Sequence, residues 1–240
     1  MAILNQNVEV LADKSALVER AKEIVVEQIQ KTVEAKGRFT LVLAGGSTPK
    51  PLYELLAKES LPWSKIHFFW GDERYVPVTD PNSNELMARQ ALLNEIDIPQ
   101  DNIHPIKITG ESPQEDARRH EAELREFFNE PEGFPTFDLI LLGMGDDGHT
   151  ASLFPHTEAL SVKDSLVTVG NKDGEPRISF TIPLINQANC VLFLVAGENK
   201  RSALQQVFAS QADETAYPSR QIQPQGNLLW LLDQAAAAEL

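Results

Sequence analysis

The chain contains very little cysteine and no long apolar run. Cys190 is the only cysteine among 240 residues, so no disulfide can form within the chain, as is usual in a reducing compartment. It lies in the apolar run 190–195, where we expect a buried and unreactive thiol. A membrane-spanning helix needs about 20 apolar residues in succession, and no segment approaches that length.

The N-terminus also lacks a targeting signal. Met1–Asn5 does not combine a charged region with a following apolar core, which a signal peptide requires. Together with the single cysteine, this predicts a soluble cytoplasmic protein, or one from which a transit peptide has been removed.

Positive charge is scarce. The chain has 21 Lys and Arg residues against 35 Asp and Glu residues, which gives a formal net charge of −14. No basic stretch offsets this excess, so we expect neither nucleic acid nor a membrane as a partner. An acidic protein that binds an anion must gather its few cations at one place, which makes Arg and Lys residues beside strand ends the ones to consider.

Several catalytic spacings are missing as well. None of the five histidines lies in an H-E-x-x-H motif, and there is no Cys/His cluster, so the sequence predicts no metal cofactor. Ser152 does not lie in the G-x-S-x-G elbow of nucleophilic serine enzymes. Chemistry must therefore come from other residue types.

Helix and strand patterns alternate along the chain, which is 42% hydrophobic and 23% charged. Helices are predicted over 14–36, ended by Gly37, over 113–128 and over 198–208. A further helix is predicted to begin at Pro49, and another extends to Leu93 with Asn84 as its capping residue. An Ala-rich helix is predicted at the C-terminus. Strands are predicted over 39–43, 66–70, 137–142, 165–169, 177–182, 191–195 and 228–232. This alternation predicts an α/β fold whose sheet is mostly parallel, with helices on both faces. Because no Gly-, Ser- or Pro-rich linker interrupts it, we expect one domain over residues 1–240.

The most informative segment is the loop Gly143–Ser152, which follows the apolar strand 137–142. Ligands of open α/β sheets bind at the carboxyl ends of the strands, and glycine lets the backbone approach a ligand closely. His149 in this loop is a candidate general base. The alternative is a loop histidine whose ring is satisfied by neighbouring backbone.

A second loop, Gly45-Gly46-Ser47-Thr48, joins a predicted strand to the helix that begins at Pro49. Free backbone N–H groups at a helix N-terminus, together with two hydroxyls, favour phosphate binding. The loop is neither a P-loop nor a dinucleotide-binding G-x-G-x-x-G motif. The alternative is a tight turn with a Ser or Thr cap.

Three further segments place cations near strand ends. Asp72 and Arg74 offer a carboxylate and a guanidinium after the strand 66–70, Lys200 lies in a predicted first helical turn, and Arg220 lies in a loop. Arginine suits phosphate recognition, and a bound anion would offset the unfavourable position of Lys200 in the helix dipole. The alternatives are a surface salt-bridge cluster for the Asp-Glu-Arg run and ordinary solvated side chains for the other two.

Five blocks of the sequence together resemble the 6-phosphogluconolactonases, a branch of the glucosamine-6-phosphate isomerase/6-phosphogluconolactonase superfamily. The blocks are Leu43–Pro49, Trp70–Pro77, Ser83–Asn84, Leu142–Pro155 and Val195–Lys200, and they occur in the family's order over nearly the whole chain. The resemblance implies a Rossmann-like three-layer α/β sandwich. It also implies metal-free hydrolysis of 6-phospho-D-glucono-1,5-lactone to 6-phosphogluconate, the second step of the oxidative pentose phosphate pathway. It leaves the oligomeric state open between a monomer and a weak dimer.

The resemblance also implies roles for individual residues. His149 corresponds to the family's histidine, Arg74 to its D-E-R arginine and Lys200 to its G-x-x-K lysine, whereas Arg220 matches a less constant loop. We expect His149 to activate water, with Asp147 or Asp146 orienting the imidazole. The residues that we expect to hold the sugar phosphate lie in the loops considered above: Gly45, Gly46, Ser47, Thr48, Asp72, Arg74, Lys200 and Arg220.

Two other functions need separating from lactone hydrolysis. Deaminases of the superfamily have a Glu five residues after the histidine and a Tyr at the position of Arg74, whereas this chain has Phe154 there and keeps the arginine. Phenylalanine cannot polarise an imidazole, so both differences favour a lactonase. A non-catalytic sugar-phosphate-binding regulator would usually carry a DNA-binding helix-turn-helix, and residues 1–38 contain a single predicted helix.

Overall fold

The computed structural model describes residues 7–240. Met1–Asn5, the segment considered for a signal peptide, lies outside these residues. The strands are β1 (Val8–Leu11), β2 (Phe39–Leu43), β3 (Ile66–Trp70), β4 (Asp72–Arg74), β5 (Ile103–His104), β6 (Leu139–Leu142), β7 (Val167–Lys172), β8 (Glu175–Phe180), β9 (Cys190–Val195) and β10 (Asn227–Asp233). The helices are α1 (Lys14–Lys36), α2 (Pro49–Leu56), α3 (Asn84–Ala88), α4 (Pro113–Phe128), α5 (Ile182–Asn186), α6 (Arg201–Phe208) and α7 (Gln234–Ala237). A π-helical turn, Arg89–Leu93, continues α3, and short 3-10 turns cover Trp63–Lys65, Gln100–Asn102, Glu158–Ser161, Glu198–Lys200 and Pro218–Gln221.

Seven strands form one parallel sheet in the order β1-β10-β9-β6-β2-β3-β5. The chain builds the half β2-β3-β5 first and then returns to place β6 on the other side of β2. The loops that leave β2 and β6 therefore diverge, and the crevice between them is the place where α/β folds of this order bind ligands. Helices flank the sheet, and the predicted Rossmann-like α/β fold is confirmed.

A small antiparallel sheet, in the order β4-β8-β7, lies at the carboxyl end of β3. Gly71 separates β3 from β4, and its carbonyl accepts a hydrogen bond from the N–H of Phe180. The sequence predicted two strands here, over 165–169 and 177–182, and β7 and β8 form a hairpin that turns at Asp173 and Gly174 with positive φ angles of 54° and 92°. The sequence did not predict that the Asp-Glu-Arg run would be a strand paired with this hairpin.

Capping residues explain several helix boundaries. The Asp13 carboxylate accepts a hydrogen bond from the N–H of Ala16 at the start of α1, and Gly37 ends α1 with a φ of 76°. The expected cap at Asn84 was wrong, because the Ser83 hydroxyl accepts the N–H of Leu86 and caps α3. Asn84 is instead the first residue of the helix, and its side chain points toward the neighbouring strand end.

The core consists of apolar residues of the parallel sheet and of the inward faces of its helices. The largest buried side chains include Trp70 and Tyr53 together with phenylalanines of β2, β3, β8 and β9. Cys190 is buried in β9, as expected, and burial raises the pKa of its thiol to about 11. Over residues 7–240, no helix combines the length and the apolar character that a bilayer crossing requires.

Two histidines lie at the β5 edge of the parallel sheet. His67 Nδ1 and His104 Nε2 are 3.1 Å apart, and the His104 ring stacks on Phe69 with 4.4 Å between centroids. Burial, followed by the neighbouring His67, lowers the pKa of His104 to about 4, and burial also lowers the pKa of His67. Both imidazoles are therefore neutral in the folded protein near pH 7.

We expect this pair to weaken the fold in mild acid. An unfolded histidine binds a proton below about pH 6.5, whereas folded His104 does so only near pH 4. The free energy of unfolding should therefore fall as the pH falls through this window. Urea unfolding at pH 7 and pH 5 should show a smaller loss for His104→Phe than for the wild type. Equal losses would show that His104 does not contribute.

Candidate active site

A cavity of about 340 Å³ opens at the carboxyl edge of the parallel sheet, at the crevice between β2 and β6. Its walls are the carboxyl ends of β2, β6 and β9 with the loops that follow them, together with residues of β4, β8 and α3. The residues predicted from the sequence that line it are Gly45, Gly46, Ser47, Thr48, Asp72, Arg74, His149 and Lys200. Residues missed by the sequence analysis that also line it are Asn84, Met144, Arg177 and Asn199.

His149 and Asp147 form a hydrogen-bonded pair at this cavity. The Asp147 carboxylate lies 2.6 Å from His149 Nδ1 and also accepts the His149 backbone N–H at 3.0 Å. Burial alone would raise the pKa of Asp147, but these hydrogen bonds lower it to about 2. The carboxylate is thus ionised and can only accept, so Nδ1 carries a proton, and the neutral imidazole has its lone pair on Nε2. Asp146 is exposed and makes no hydrogen bond to His149.

Backbone hydrogen bonds close the loop around His149. The N–H of Gly145 donates to the His149 carbonyl at 2.8 Å, and Gly148, with a φ of 80°, turns the chain between them. The carbonyl of Gly148 accepts both the N–H of Ser219 at 3.0 Å and the Ser219 hydroxyl at 2.8 Å. Ser219 is buried, so it fixes the outer side of the loop.

The backbone of the turn after β2 is fixed by a buried tyrosine, and the two hydroxyl groups of the turn do not cap the helix that follows. The buried Tyr53 hydroxyl donates to the Ala44 carbonyl at 2.7 Å and accepts the Ala44 N–H at 2.9 Å. Neither Ser47 nor Thr48 caps α2 with its side chain. The alternative of a simple Ser or Thr cap is therefore wrong, and both hydroxyls are available to a ligand.

Two arginines stand opposite each other on neighbouring strands beside the cavity. Arg74 of β4 and Arg177 of β8 are register partners, a costly arrangement for like charges. Arg74 Nη1 donates to the Asn82 carbonyl at 2.6 Å, and the Nε atoms of both arginines are buried without a hydrogen-bond partner among the described residues. Burial, followed by the charge of Arg74, lowers the pKa of Arg177. A bound anion would relieve both the repulsion and the unmet donors.

Lys200 adds a third cation at the end of β9. It lies on the 3-10 turn Glu198–Lys200 rather than in α6 and lines the cavity. Within residues 7–240 it has no salt bridge to a carboxylate. Its charge is therefore free to face a ligand.

The two acidic residues of β4 have different contacts. The Asp72 carboxylate lines the cavity and accepts the buried Ser152 hydroxyl at 2.6 Å. Glu73 faces the other way and accepts the backbone N–H groups of Asn84 and Glu85 at the start of α3. Burial raises the pKa of Glu73 despite these donors. Glu73 thus holds the small sheet against α3, while Asp72 faces the site.

Arg220 is not part of the cavity lining. Its Nη1 donates to the carbonyls of Gln206, Val207 and Ala209 at 2.6, 2.7 and 2.8 Å. These carbonyls form the C-terminal end of α6, where a cation is favourable. The structure thus gives Arg220 the position of a helix cap and not of a phosphate ligand.

Residues 7–240 contain no group of three or more His, Cys, Asp or Glu side chains placed to hold a metal ion. The chemically active groups of the cavity are therefore one imidazole paired with a carboxylate, one further carboxylate, three cations and the backbone of two glycine-rich loops. This set can activate water and hold a phosphate at the same time.

Comparisons with known proteins agree with this arrangement. Residues 12–230 match the family model described as "Glucosamine-6-phosphate isomerases/6-phosphogluconolactonase". A 6-phosphogluconolactonase of Nostoc sp. is 59% identical over 99% of both chains, and one of Synechocystis sp. is 58% identical over 97% of this chain and 98% of the relative. The solved 6-phosphogluconolactonase of Trypanosoma brucei superposes with a TM-score of 0.86 at 30% identity, covering 98% of this chain and 99% of the other.

The His149–Asp147 pair should depend on the absence of a side chain at position 145. A Cβ at Gly145 would overlap Nδ1 and Cε1 of His149 and the Asp147 carboxylate. Gly145→Ala should therefore break the 2.6 Å contact and raise the pKa of Asp147 from about 2 toward its ordinary value of 3.8. Carboxyl ¹³C NMR titration measures this shift.

Gly143→Ala is the matched control, because a Cβ there meets no atom within 4 Å. It should leave the Asp147 titration at the wild-type position. An unchanged titration in Gly145→Ala would contradict the geometry of the pair.

Proposed function

The chain belongs to the family of glucosamine-6-phosphate isomerases and 6-phosphogluconolactonases, and we propose that His149 is the base with which it activates water. The reaction is hydrolysis of 6-phospho-D-glucono-1,5-lactone to 6-phosphogluconate, in the pentose phosphate pathway. The observation that carries the assignment of the base is the His149–Asp147 pair, which faces a cavity lined by three cations.

His149 Nε2 takes a proton from water as the water oxygen attacks C1 of the lactone. Asp147 holds the proton on Nδ1 and stabilises the imidazolium that forms. The carbonyl oxygen becomes an oxyanion, for which backbone N–H groups of the two glycine-rich loops are the donors. The ring C–O bond then breaks, and the imidazolium returns its proton to the departing ring oxygen.

The phosphate is held at the other side of the cavity. Arg74 and Lys200, as expected from the sequence, and Arg177, added by the structure, supply the positive charge. The Ser47 and Thr48 hydroxyls and the backbone of Gly45 and Gly46 complete the phosphate site. Asp72 is placed to accept a sugar hydroxyl. Binding the phosphate at one end fixes C1 in front of His149.

The surroundings of His149 favour hydrolysis over amino-sugar deamination. Among residues 7–240, Asp147 is the carboxylate that bonds the His149 imidazole. The ring of Phe154 packs on the same imidazole with 4.5 Å between ring centroids. A ring at this position supplies no acid or base to open a sugar. We therefore assign the lactone, and not glucosamine 6-phosphate, as the substrate.

We also propose that residues 1–240 form a single catalytic domain that works in the cytoplasm. The family model spans most of the chain, and the one cysteine is a buried free thiol. The small-molecule lactone is the proposed partner of the site.

His149→Ala should lower kcat by about 10²- to 10⁴-fold, because general-base catalysis contributes this much. The assay uses freshly generated lactone with the spontaneous rate subtracted. Near wild-type turnover in His149→Ala would refute the base, and ammonia release from glucosamine 6-phosphate would refute the substrate.

Loss of a cation should chiefly weaken substrate binding. Arg74→Ala, Arg177→Ala and Lys200→Ala should each raise KM for the phosphorylated lactone by about 10- to 100-fold, the usual effect of a lost charged hydrogen bond. Unphosphorylated glucono-1,5-lactone is the control substrate, and its KM should change little. An effect on kcat alone would contradict the phosphate role.

A further inference from the structure

Phe154 contacts two residues that line the cavity, His149 and Arg177. Its side chain is 5% exposed, and its ring packs on His149 with 4.5 Å between centroids at an angle of 45°. The Arg177 guanidinium carbon lies 5.6 Å from the ring centroid, and Lys172 Nζ lies 5.9 Å from it. Both distances are within the range of cation–π attraction. One ring thus contacts the proposed base and one of the proposed phosphate ligands.

Arg177 has few other contacts that would hold it. Its Nε is buried without a hydrogen-bond partner among the described residues. Its register partner on β4 is Arg74, which repels it. Asp72, Glu73 and Glu175 attract the guanidinium, and the Phe154 ring is the aromatic surface over which it lies.

The backbone that carries Phe154 is fixed on both sides. The buried Ser152 hydroxyl donates to Asp72, and the Ser152 N–H donates to the Ser179 hydroxyl at 3.2 Å. After the ring, the Phe154 carbonyl accepts the Thr157 hydroxyl at 2.8 Å. These hydrogen bonds hold the backbone from which the Phe154 ring projects.

We propose that Phe154 is a positioning residue that holds the His149 imidazole and the Arg177 guanidinium in one arrangement. The inference rests on the proposed function, in which His149 is the base and Arg177 binds the 6-phosphate. The ring does no chemistry itself. By contacting both His149 and Arg177, it fixes the distance between the base and the phosphate site.

The test compares Phe154→Leu, which keeps an apolar side chain but loses the aromatic face, with Phe154→Tyr, which keeps it. Phe154→Leu should raise KM for the phosphorylated lactone by about two- to thirty-fold, the effect of a lost cation–π contact. KM for glucono-1,5-lactone should not change, because that substrate has no phosphate. The lost ring contact with His149 should lower kcat on both lactones by about two- to twelve-fold. Phe154→Tyr should restore both values.

A double-mutant cycle separates positioning from a general loss of packing. In an Arg177→Met background, Phe154→Leu should no longer raise KM for the phosphorylated lactone. Calorimetric binding of 6-phosphogluconate should show the same coupling without turnover. Phe154→Met replaces Phe154→Leu if thermal unfolding shows that the leucine variant does not fold.

Three results would overturn the proposal: an equal rise of KM on both lactones, an effect of the same size in the Arg177→Met background, or no rescue by Phe154→Tyr. Failure of the proposed function gives a different result, because the wild type would then hydrolyse neither lactone. The calorimetric cycle would still decide whether Phe154 and Arg177 are coupled.

Discussion

The return of the chain from β5 to β6, on the far side of β2, is the constraint from which the site follows. It sends the loops after β2 and β6 in opposite directions and leaves a crevice at the carboxyl edge of the sheet. One loop contributes the glycines and hydroxyls at Gly45–Thr48, and the other contributes His149. The base and the anion-binding turn are far apart in sequence and meet because two adjacent parallel strands end at the same edge.

The small antiparallel sheet adds the feature that a parallel sheet alone would lack. It places Arg74 and Arg177 side by side, with buried Nε atoms that have no partner among the described residues. This arrangement is unfavourable in itself, because it combines like-charge repulsion with unmet donors. A locally unfavourable free energy of this kind is typical of a binding site. A bound phosphate supplies the negative charge and the hydrogen-bond acceptors that the two arginines lack.

Most helices and strands and the loop that carries His149 could be predicted from the sequence, because their signals are local. The long apolar periodicity of α1, its glycine end and the strand-plus-glycine-loop pattern before His149 all predicted structure correctly. The two-residue β5 and the four-residue β1 carry too little pattern to be seen. β6 begins later than predicted because the Asp138 carboxylate bonds the N–H and hydroxyl of Thr40.

The remaining differences in the site depend on tertiary contacts that no local motif reports. Arg177 lies in an ordinary strand pattern, and only the pairing of β8 with β4 brings it beside Arg74. Arg220 follows an apparently ligand-like loop, yet three carbonyls at the end of α6 engage its guanidinium. The sequence likewise left open whether Asp146 or Asp147 orients His149, because the answer depends on where each side chain points. The 2.6 Å contact between Asp147 and His149 Nδ1 identifies Asp147.

The pairing of β1 with β10 has a consequence for synthesis on the ribosome. β1 emerges long before its partner, Asn227–Asp233. Synthesis proceeds at about 5–20 residues per second, so β1 has no strand to pair with for on the order of ten seconds or more. Ser219, which anchors the His149 loop, also emerges late. A ribosome-bound fragment that ends before Ser219 therefore has both glycine-rich loops but not the anchor of the His149 loop.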